Sequence, residues 1–84
     1  MTVYVDNSQE RYGRMVLCHM VADSVQELHE MADKIGIQRR WFENDRIPHY
    51  NICQSKRLKA IKNGAIEITS RGIIDRFSHS VKGE

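Results

Sequence analysis

The sequence predicts a small α/β domain with a sheet of about four mostly parallel strands and three helices. Short segments rich in β-branched and apolar residues alternate with helical segments along the 84-residue chain, and this alternation is typical of parallel sheets. Hydrophobic residues make up 40% and charged residues 29% of the chain, a balance typical of globular rather than disordered proteins. The length predicts a single domain over residues 1–84, with residues 79–84 as a frayed tail.

The first third of the chain contains two predicted strands and one helix. "TVYV" is a strand that ends at Asp6, "DNSQERYGR" is a polar loop, and the length and composition of "MVLCHMVA" fit a buried strand. "SVQELHEMADKIG" is a helix, because Ser24 and Glu27 form a capping box and Gly36 can end the helix in a left-handed conformation. Its apolar face consists of Val25, Leu28, Met31, Ala32 and Ile35.

The remainder of the chain continues the alternation. "IQRRWF" reads as a strand, "ENDRIPHYN" as a loop, and "SKRLKAIKNG" as a helix with Ser55 as its N-cap and with Leu58 and Ile61 toward the core. "AIEIT" is a short strand. "SRGIIDRF" is a last helix, whose inward residues would be Ile73, Ile74 and Phe77.

Composition also bears on the location of the protein. Cys18 and Cys53 form neither a CxxC pair nor a disulfide framework, so they are expected to be reduced thiols of a cytoplasmic protein. The N-terminal stretch "MTVYVDNSQE" does not resemble a signal peptide. No apolar run approaches the ~20 residues of a membrane span, and no membrane association is expected.

Polar residues follow or interrupt the predicted strands, and ligands of open parallel sheets bind beyond the carboxyl ends of the strands. We therefore expect convergence at one edge of the sheet of Asp6, His19, Asp23, His49, Tyr50, Thr69, Ser70 and Arg71. Four of these residues form a candidate ligand set for a divalent metal: Asp6, His19, Asp23 and His49. Structural roles stay open, because His19 would also fit a core, Asp23 a helix N-terminus and Asp6 a turn.

A basic and aromatic segment surrounds the start of the second helix. A helix N-terminus with neighbouring basic side chains can bind phosphate, and arginine also stacks on flat rings. The predicted ligand-binding residues are Arg39, Arg40, Trp41, His49, Tyr50, Ser55, Lys56 and Arg57. The alternative is that the basic residues serve solubility and Trp41 lies in the core. The net charge of +2 is too small to indicate nucleic-acid binding by itself.

Several sequence motifs of known chemistry are absent. The chain contains no GxxxxGK[ST] phosphate loop, no GxGxxG turn, no HExxH motif and no GxSxG elbow. It also has no cysteines at zinc-binding spacing. Function must therefore be inferred from the polar residues themselves.

An ordered set of short motifs resembles the domain of unknown function 4031 family, small proteins of bacteria and phages. The motifs are "VYVD", "CHMVAD" with "ELH", "RRWF", "HYN" and "GAIEITSR". The resemblance implies a shared fold and a shared polar cluster of Asp6, His19, Asp23, His49 and Tyr50, but no activity. The family favours an acidic residue after the His–Tyr pair, where this chain has Asn51. If that acid binds a metal or acts as a base, the function would be impaired here.

Three functions remain in competition, and whether the protein is an enzyme stays open. The first is a binding module for a phosphate-bearing ligand, either a nucleotide or a nucleic-acid end, with Trp41 or Tyr50 stacking on a base. The second is a metal-dependent phosphoesterase or nuclease that uses the Asp/His set. The third is a phage or bacterial accessory protein that acts through protein contacts. Self-association as a homo-oligomer would suit so small a core, with Met15, Met20 and Phe77 at the interface.

Overall fold

A computed structural model describes residues 2–77 as a small α/β domain with six strands and three helices. The strands are β1 (Val3–Val5), β2 (Glu10–Tyr12), β3 (Met15–Ala22), β4 (Phe42–Glu43), β5 (His49–Cys53) and β6 (Ile66–Glu67). The helices are α1 (Val25–Ile35), α2 (Gln54–Lys62) and α3 (Ser70–Phe77), and a single 3₁₀ turn spans Arg39–Trp41. The predicted tail at 79–84 lies outside the described residues.

The sheet is mixed, and the prediction of a mostly parallel four-stranded sheet was wrong. The strand order is β4-β5-β3-β1-β6, with β2 also paired to β3. Within residues 2–77 only β1 and β6 pair in parallel, while every other pairing is antiparallel. The pairing of β2 with β3 comes from a tight hairpin, in which Gly13 has a φ of 64° that suits such a turn. The sequence "ERY", expected in a loop, therefore forms a strand that turns the chain back.

Strand β3 organises the sheet because it is long enough to pair with two strands along one edge. Its residues 20–22 face β1, and its residues 15–17 face β2 on the same edge. The opposite edge of β3 pairs with β5. Between β1 and β2 the chain leaves the sheet, and this break lies beside Cys18 and His19.

Helices cover the two faces of the sheet unequally. Side chains alternate along a strand, so Cys18 and Met20 point into the core beneath α1 and α2, whereas His19 and Val21 face the side of α3. The larger core joins one sheet face to α1 and α2. The smaller core packs Ile73 of α3 on Tyr4 and Val21. Helix α3 is short, so the part of this sheet face around His19 is left uncovered.

The structure confirms the prediction of helix α1 from its capping residues. The Ser24 Oγ accepts a hydrogen bond from the Glu27 backbone N–H at 3.2 Å, and Gly36 adopts the left-handed conformation with a φ of 84°. The buried face consists of Leu28, Met31, Ala32 and Ile35. Val25, expected on this face, is exposed because it lies in the first turn, beyond the edge of the packed core.

Two predictions in the middle of the chain were wrong. The "IQRRWF" segment is not a strand but a 3₁₀ turn, with the Trp41 N–H bonded to the Gln38 carbonyl at 3.1 Å, followed by the two-residue β4. The end of the predicted loop "ENDRIPHYN" belongs to strand β5 (His49–Cys53), whose burial alternates as Tyr50 and Ile52 enter the core. The alternation of apolar and polar residues was present in the sequence, but the proline directly before it favoured the prediction of a loop.

The second helix begins one residue before the predicted cap, and of its two predicted core residues only Ile61 packs against the core. Its N-cap is Cys53 rather than Ser55. Leu58, expected in the core, is 59% exposed, whereas Arg57 and Ala60 are buried. A shift in helix phase of one residue moves the buried face by about 100°. In α3, Ile73 is buried as predicted, but Ile74 is exposed.

Candidate functional site

Asp6 is a fully buried carboxylate at the break between β1 and β2. Its exposed fraction is 0%. The Oδ1 atom accepts the His19 backbone N–H at 2.7 Å, while the Asp6 N–H donates to the His19 carbonyl at 3.0 Å. Asp6 thereby satisfies the backbone of β3 where no neighbouring strand does, which explains why a charged residue is tolerated inside the sheet.

The second oxygen of Asp6 orients the imidazole of His19. The Oδ2 atom lies 2.8 Å from His19 Nδ1 and accepts the Ser70 hydroxyl at 3.0 Å. Ser8 completes the shell, with its N–H and Oγ each 3.3 Å from Oδ1. An ionised carboxylate only accepts, so Nδ1 carries the proton and donates it to Asp6. The Nε2 edge of His19 therefore stays available for a ligand.

Asp6 and His19 form a dyad in which each residue shifts the pKa of the other. Burial acts to raise the pKa of Asp6, but hydrogen bonds from the side chain and backbone of His19 and from Ser70 outweigh it and hold the pKa at about 2. The hydrogen bond to Asp6 raises the pKa of His19, against burial, and the charges of Asp6 and Glu10 add to the increase. His19 is therefore more readily protonated than a free histidine.

The Nε2 edge of His19 faces a cleft of about 410 Å³. The Glu10 carboxylate lies 3.9 Å from Nε2, and the His49 ring stands edge-to-face against His19 with 5.5 Å between the ring centroids. The apolar walls come from Val21, Ile47, Ile73 and Ile74, and the other polar lining residues are Asp45, Arg46 and Ser70. A cleft of this size with a few convergent polar groups is typical of a small-molecule site.

Of the four predicted metal ligands, the structure brings three together around His19 and separates the fourth. Asp6, His19 and His49 meet, whereas Asp23 lies four residues beyond His19 along an antiparallel strand, about 13 Å away. The Asp23 N–H bonds to the Thr2 carbonyl at the opposite end of β1. Across residues 2–77 no three His, Cys, Asp or Glu side chains are grouped to hold a metal ion. Both Asp6 oxygens are already engaged by protein donors.

The predicted basic and aromatic site does not assemble. Arg39 pairs with Asp33 of α1 at 2.9 Å. Tyr50, expected to stack on a base, is 0% exposed, and its hydroxyl bonds to His29 Nδ1 at 2.7 Å. Tyr50 is therefore a core residue, because its place on β5 points its ring beneath α1.

The basic residues of α2 also have structural partners. Lys56 donates to the Ile35 carbonyl at 2.9 Å and so caps the end of α1. Arg57 is buried and reaches the carbonyl of Asp6 at 2.7 Å. The Ser55 hydroxyl forms a hydrogen bond with the Cys53 thiol at 3.3 Å. Of the predicted set outside the cleft, Arg40 and Trp41 remain on the surface, where the guanidinium lies 5.2 Å from the ring centroid.

The residues proposed for a protein interface also divide. Met20 is completely buried in the core, and Phe77 packs edge-to-face on Tyr4 with ring centroids 5.8 Å apart. Met15 alone of the three is exposed. The inward side chain of Met20 follows from its alternation with His19 on β3.

Sequence reasoning missed several residues of the site. Glu10 was assigned to a loop, and Ser8, Arg46 and Ile47 gave no motif. Ser70 was identified only by its position after the strand β6. The signal available for Glu10 was the short "ERY" segment ahead of a Gly-containing turn, which is typical of a hairpin strand.

Comparison with known families decides the relationship of the chain. The sequence model of the family described as "Protein of unknown function (DUF4031)" matches residues 3–80. The chain belongs to this family. No curated protein and no solved structure matches it. No helix within residues 2–77 is long and apolar enough to cross a membrane.

Asn51, the residue after the His–Tyr pair, lies beside the Asp6–His19 dyad. Asn51 is the cross-strand partner of His19 in the register of β3 and β5. Directly opposed residues of two strands project to the same face, so Asn51 shares the face of His19 and is exposed there. An acid at this position would stand next to the imidazole.

Proposed function

We propose that the cleft at His19 binds a phosphate-bearing ligand, either a nucleotide or a nucleic-acid end. The observation that carries the proposal is the 2.8 Å contact between Asp6 and His19 Nδ1, which fixes the ring and leaves its Nε2 edge toward the cleft. A buried carboxylate that orients a histidine is a common support for functional imidazoles. Compared with the sequence prediction, the proposed site moves from the start of α2 to the face beneath α3.

Individual hydrogen-bond donors of the cleft, rather than its net charge, would hold an anion at its inner end. The pKa of His19 is raised through its hydrogen bond to Asp6, and a protonated imidazole donates a charge-assisted hydrogen bond to phosphate. His49 and Arg46 line the same cleft. Glu10 and Asp45 also line it, so recognition would depend on the individual donors rather than on a broad positive field.

The apolar walls fit the remainder of such a ligand. Ile47, Ile73 and Ile74 provide flat aliphatic surface against which a base or sugar can pack. Ile74 is half exposed in the described chain, and a ligand in the cleft would cover it. The proposed setting is the cytoplasm, where Cys18 and Cys53, both free, would remain reduced.

The binding proposal is tested by calorimetric titration of the protein with AMP, adenosine and a 5′-phosphorylated oligonucleotide. We expect AMP and the oligonucleotide to bind and adenosine to bind much more weakly, since it lacks the phosphate. His19→Asn should abolish AMP binding. His29→Asn is the matched control, because His29 contacts Tyr50 rather than the cleft. Equal binding of AMP by the wild type and His19→Asn would refute the proposal.

Phosphate-ester hydrolysis is a second candidate, favoured by the same dyad. Water would supply the new P–O bond, the P–O bond to the leaving alcohol would break, and protonated His19 would give its proton to the departing oxygen. The proton released by the attacking water would restore His19. Asp6 would hold the ring and stabilise its charged form, as in other His–Asp pairs.

Hydrolysis is tested with p-nitrophenyl phosphate and bis-p-nitrophenyl phosphate, with and without EDTA or Mn²⁺. We expect release of p-nitrophenol that persists in EDTA and is lost in His19→Asn. Activity that appears only with Mn²⁺ would contradict the metal-free role of His19 and support the metal-dependent alternative. Absence of turnover together with AMP binding would leave the binding function alone.

A further inference from the structure

A second cavity adjoins the first at Ser70. Its volume is about 360 Å³, and it is lined by Asn7, Arg57, Glu67, Ile68, Thr69 and Ser70. Ser70 also lines the His19 cleft, and its hydroxyl donates to the Asp6 carboxylate at 3.0 Å. The two cavities therefore meet at one residue.

Arg57 is the cationic group of this second cavity, and one nitrogen of its guanidinium has no hydrogen-bond partner among residues 2–77. The Arg57 side chain is 10% exposed, and Nε donates to the Asp6 carbonyl at 2.7 Å. Nη2 donates to Glu67 Oε1 at 2.9 Å. Nη1 has no hydrogen-bond partner among residues 2–77, yet it is not sealed from solvent, because the one sealed and unpartnered side-chain atom of that range is Glu27 Oε1. Nη1 is therefore reached by solvent, and Arg57 is one of the residues that line the cavity.

Glu67 is a weak ion-pair partner for the Arg57 guanidinium. Its side chain is 63% exposed, and it belongs to the two-residue edge strand β6. It accepts from one nitrogen, whereas guanidinium can hold a carboxylate or phosphate through two parallel hydrogen bonds. A buried guanidinium stays charged and requires anionic or polar partners, so a phosphate at Nη1 would supplement or replace Glu67.

We propose that the Arg57 cavity is a second anion subsite, so that the protein takes a ligand with two phosphate groups. This inference rests on the proposed function for the first phosphate, which His19 would hold. The second phosphate would contact Arg57. Asp6 connects the two contacts, since its side chain accepts from His19 and its main chain accepts from Arg57. Two sources share this chemistry: a nucleoside diphosphate, and a dinucleotide with a terminal phosphate.

The test compares calorimetric titrations of AMP, ADP and the 5′-phosphorylated dinucleotide with the wild type, Glu67→Gln and the control Glu30→Gln. Glu30 is an exposed carboxylate of α1, which covers the other face of the sheet. Removing the carboxylate that competes for Arg57 should tighten binding of a two-phosphate ligand about fivefold, the scale of one exposed ion pair. AMP binding should change less than twofold, and Glu30→Gln should change neither. Whichever two-phosphate ligand responds identifies the source.

The inference is overturned if Glu67→Gln leaves both two-phosphate affinities unchanged, or if it changes AMP affinity equally. An NMR titration of His19→Asn protein with inorganic phosphate separates this inference from the proposed function. A saturable shift of the Arg57 Nε–H resonance is expected there, because this contact does not require His19. Absence of that shift refutes the Arg57 subsite even where AMP binds the wild type.

Discussion

Replacing Asp6 with asparagine should remove a stabilising charge that depends strongly on pH. The substitution keeps the size of the side chain but places an amide where Oδ2 accepts His19 Nδ1–H and the Ser70 hydroxyl. The pKa of Asp6 is lowered from 3.8 to about 2 in the folded protein, which corresponds to about 2 kcal/mol of stability. For a domain of this size the melting temperature should fall by about 10 °C.

The sign of the pH dependence follows from the direction of this shift. The folded-state pKa of Asp6 is depressed, so its contribution is complete above the unfolded pKa of 3.8 and is lost as the pH falls toward 2. About half of it, roughly 1 kcal/mol, should be lost between pH 5 and pH 3. The difference in unfolding free energy between the wild type and Asp6→Asn should therefore narrow by that amount.

Urea denaturation at pH 5 and pH 3 measures the effect. Asp33→Asn provides the control, because Asp33 is an exposed carboxylate paired with Arg39 and its variant should be much less destabilised. In parallel, NMR titration should show a lower pKa for His19 in Asp6→Asn, since its main source of stabilisation is gone. A free-energy difference that stays constant from pH 5 to pH 3, with an unchanged His19 pKa, would refute the reasoning.

Three further predictions concern single residues. Tyr50→Phe should lower the unfolding free energy by about 1 kcal/mol, because the hydrogen bond of the hydroxyl to His29 is lost. AMP binding measured by calorimetry should be unchanged; a loss of binding would support a role for Tyr50 in stacking on a base. Gly36→Ala should lower the unfolding free energy by about 1 kcal/mol, because Gly36 has a φ of 84°. An unchanged midpoint of urea denaturation would contradict the left-handed conformation at the end of α1. Asn51→Asp should raise the pKa of His19 further, as followed by NMR, because it places a carboxylate across the strand pair; an unchanged pKa would show that the two side chains do not interact.

The parts of the fold with local signals could be predicted from the sequence. Helix α1 carries its start and end in Ser24 and Gly36, and the structure uses both. Strand direction had a weaker signal in the short "ERY" segment ahead of Gly13, which was predicted as a loop but forms a two-residue hairpin that pairs β2 with β3. Alternating strands and helices therefore indicated the right class but the wrong sheet.

The candidate site could also be predicted only in part. Asp6 and His19 were identified as site candidates because one ends a strand and the other interrupts an apolar run. Their direct contact follows from the antiparallel pairing of β1 with β3, which also removes Asp23 from the site. The partners of Lys56 and Arg57 are a helix-end carbonyl and the β1–β6 edge. These contacts join distant segments, so local sequence could not predict them.

The most direct test of the account is the ¹⁵N NMR signal of the His19 imidazole during titration with AMP. We predict a saturable shift of Nε2, while Nδ1 remains hydrogen-bonded to Asp6 and the His29 ring, which lies outside the cleft, does not respond. An Nε2 signal that stays unchanged while AMP binds elsewhere, or while no resonance moves at all, would contradict the claim that His19 holds the phosphate.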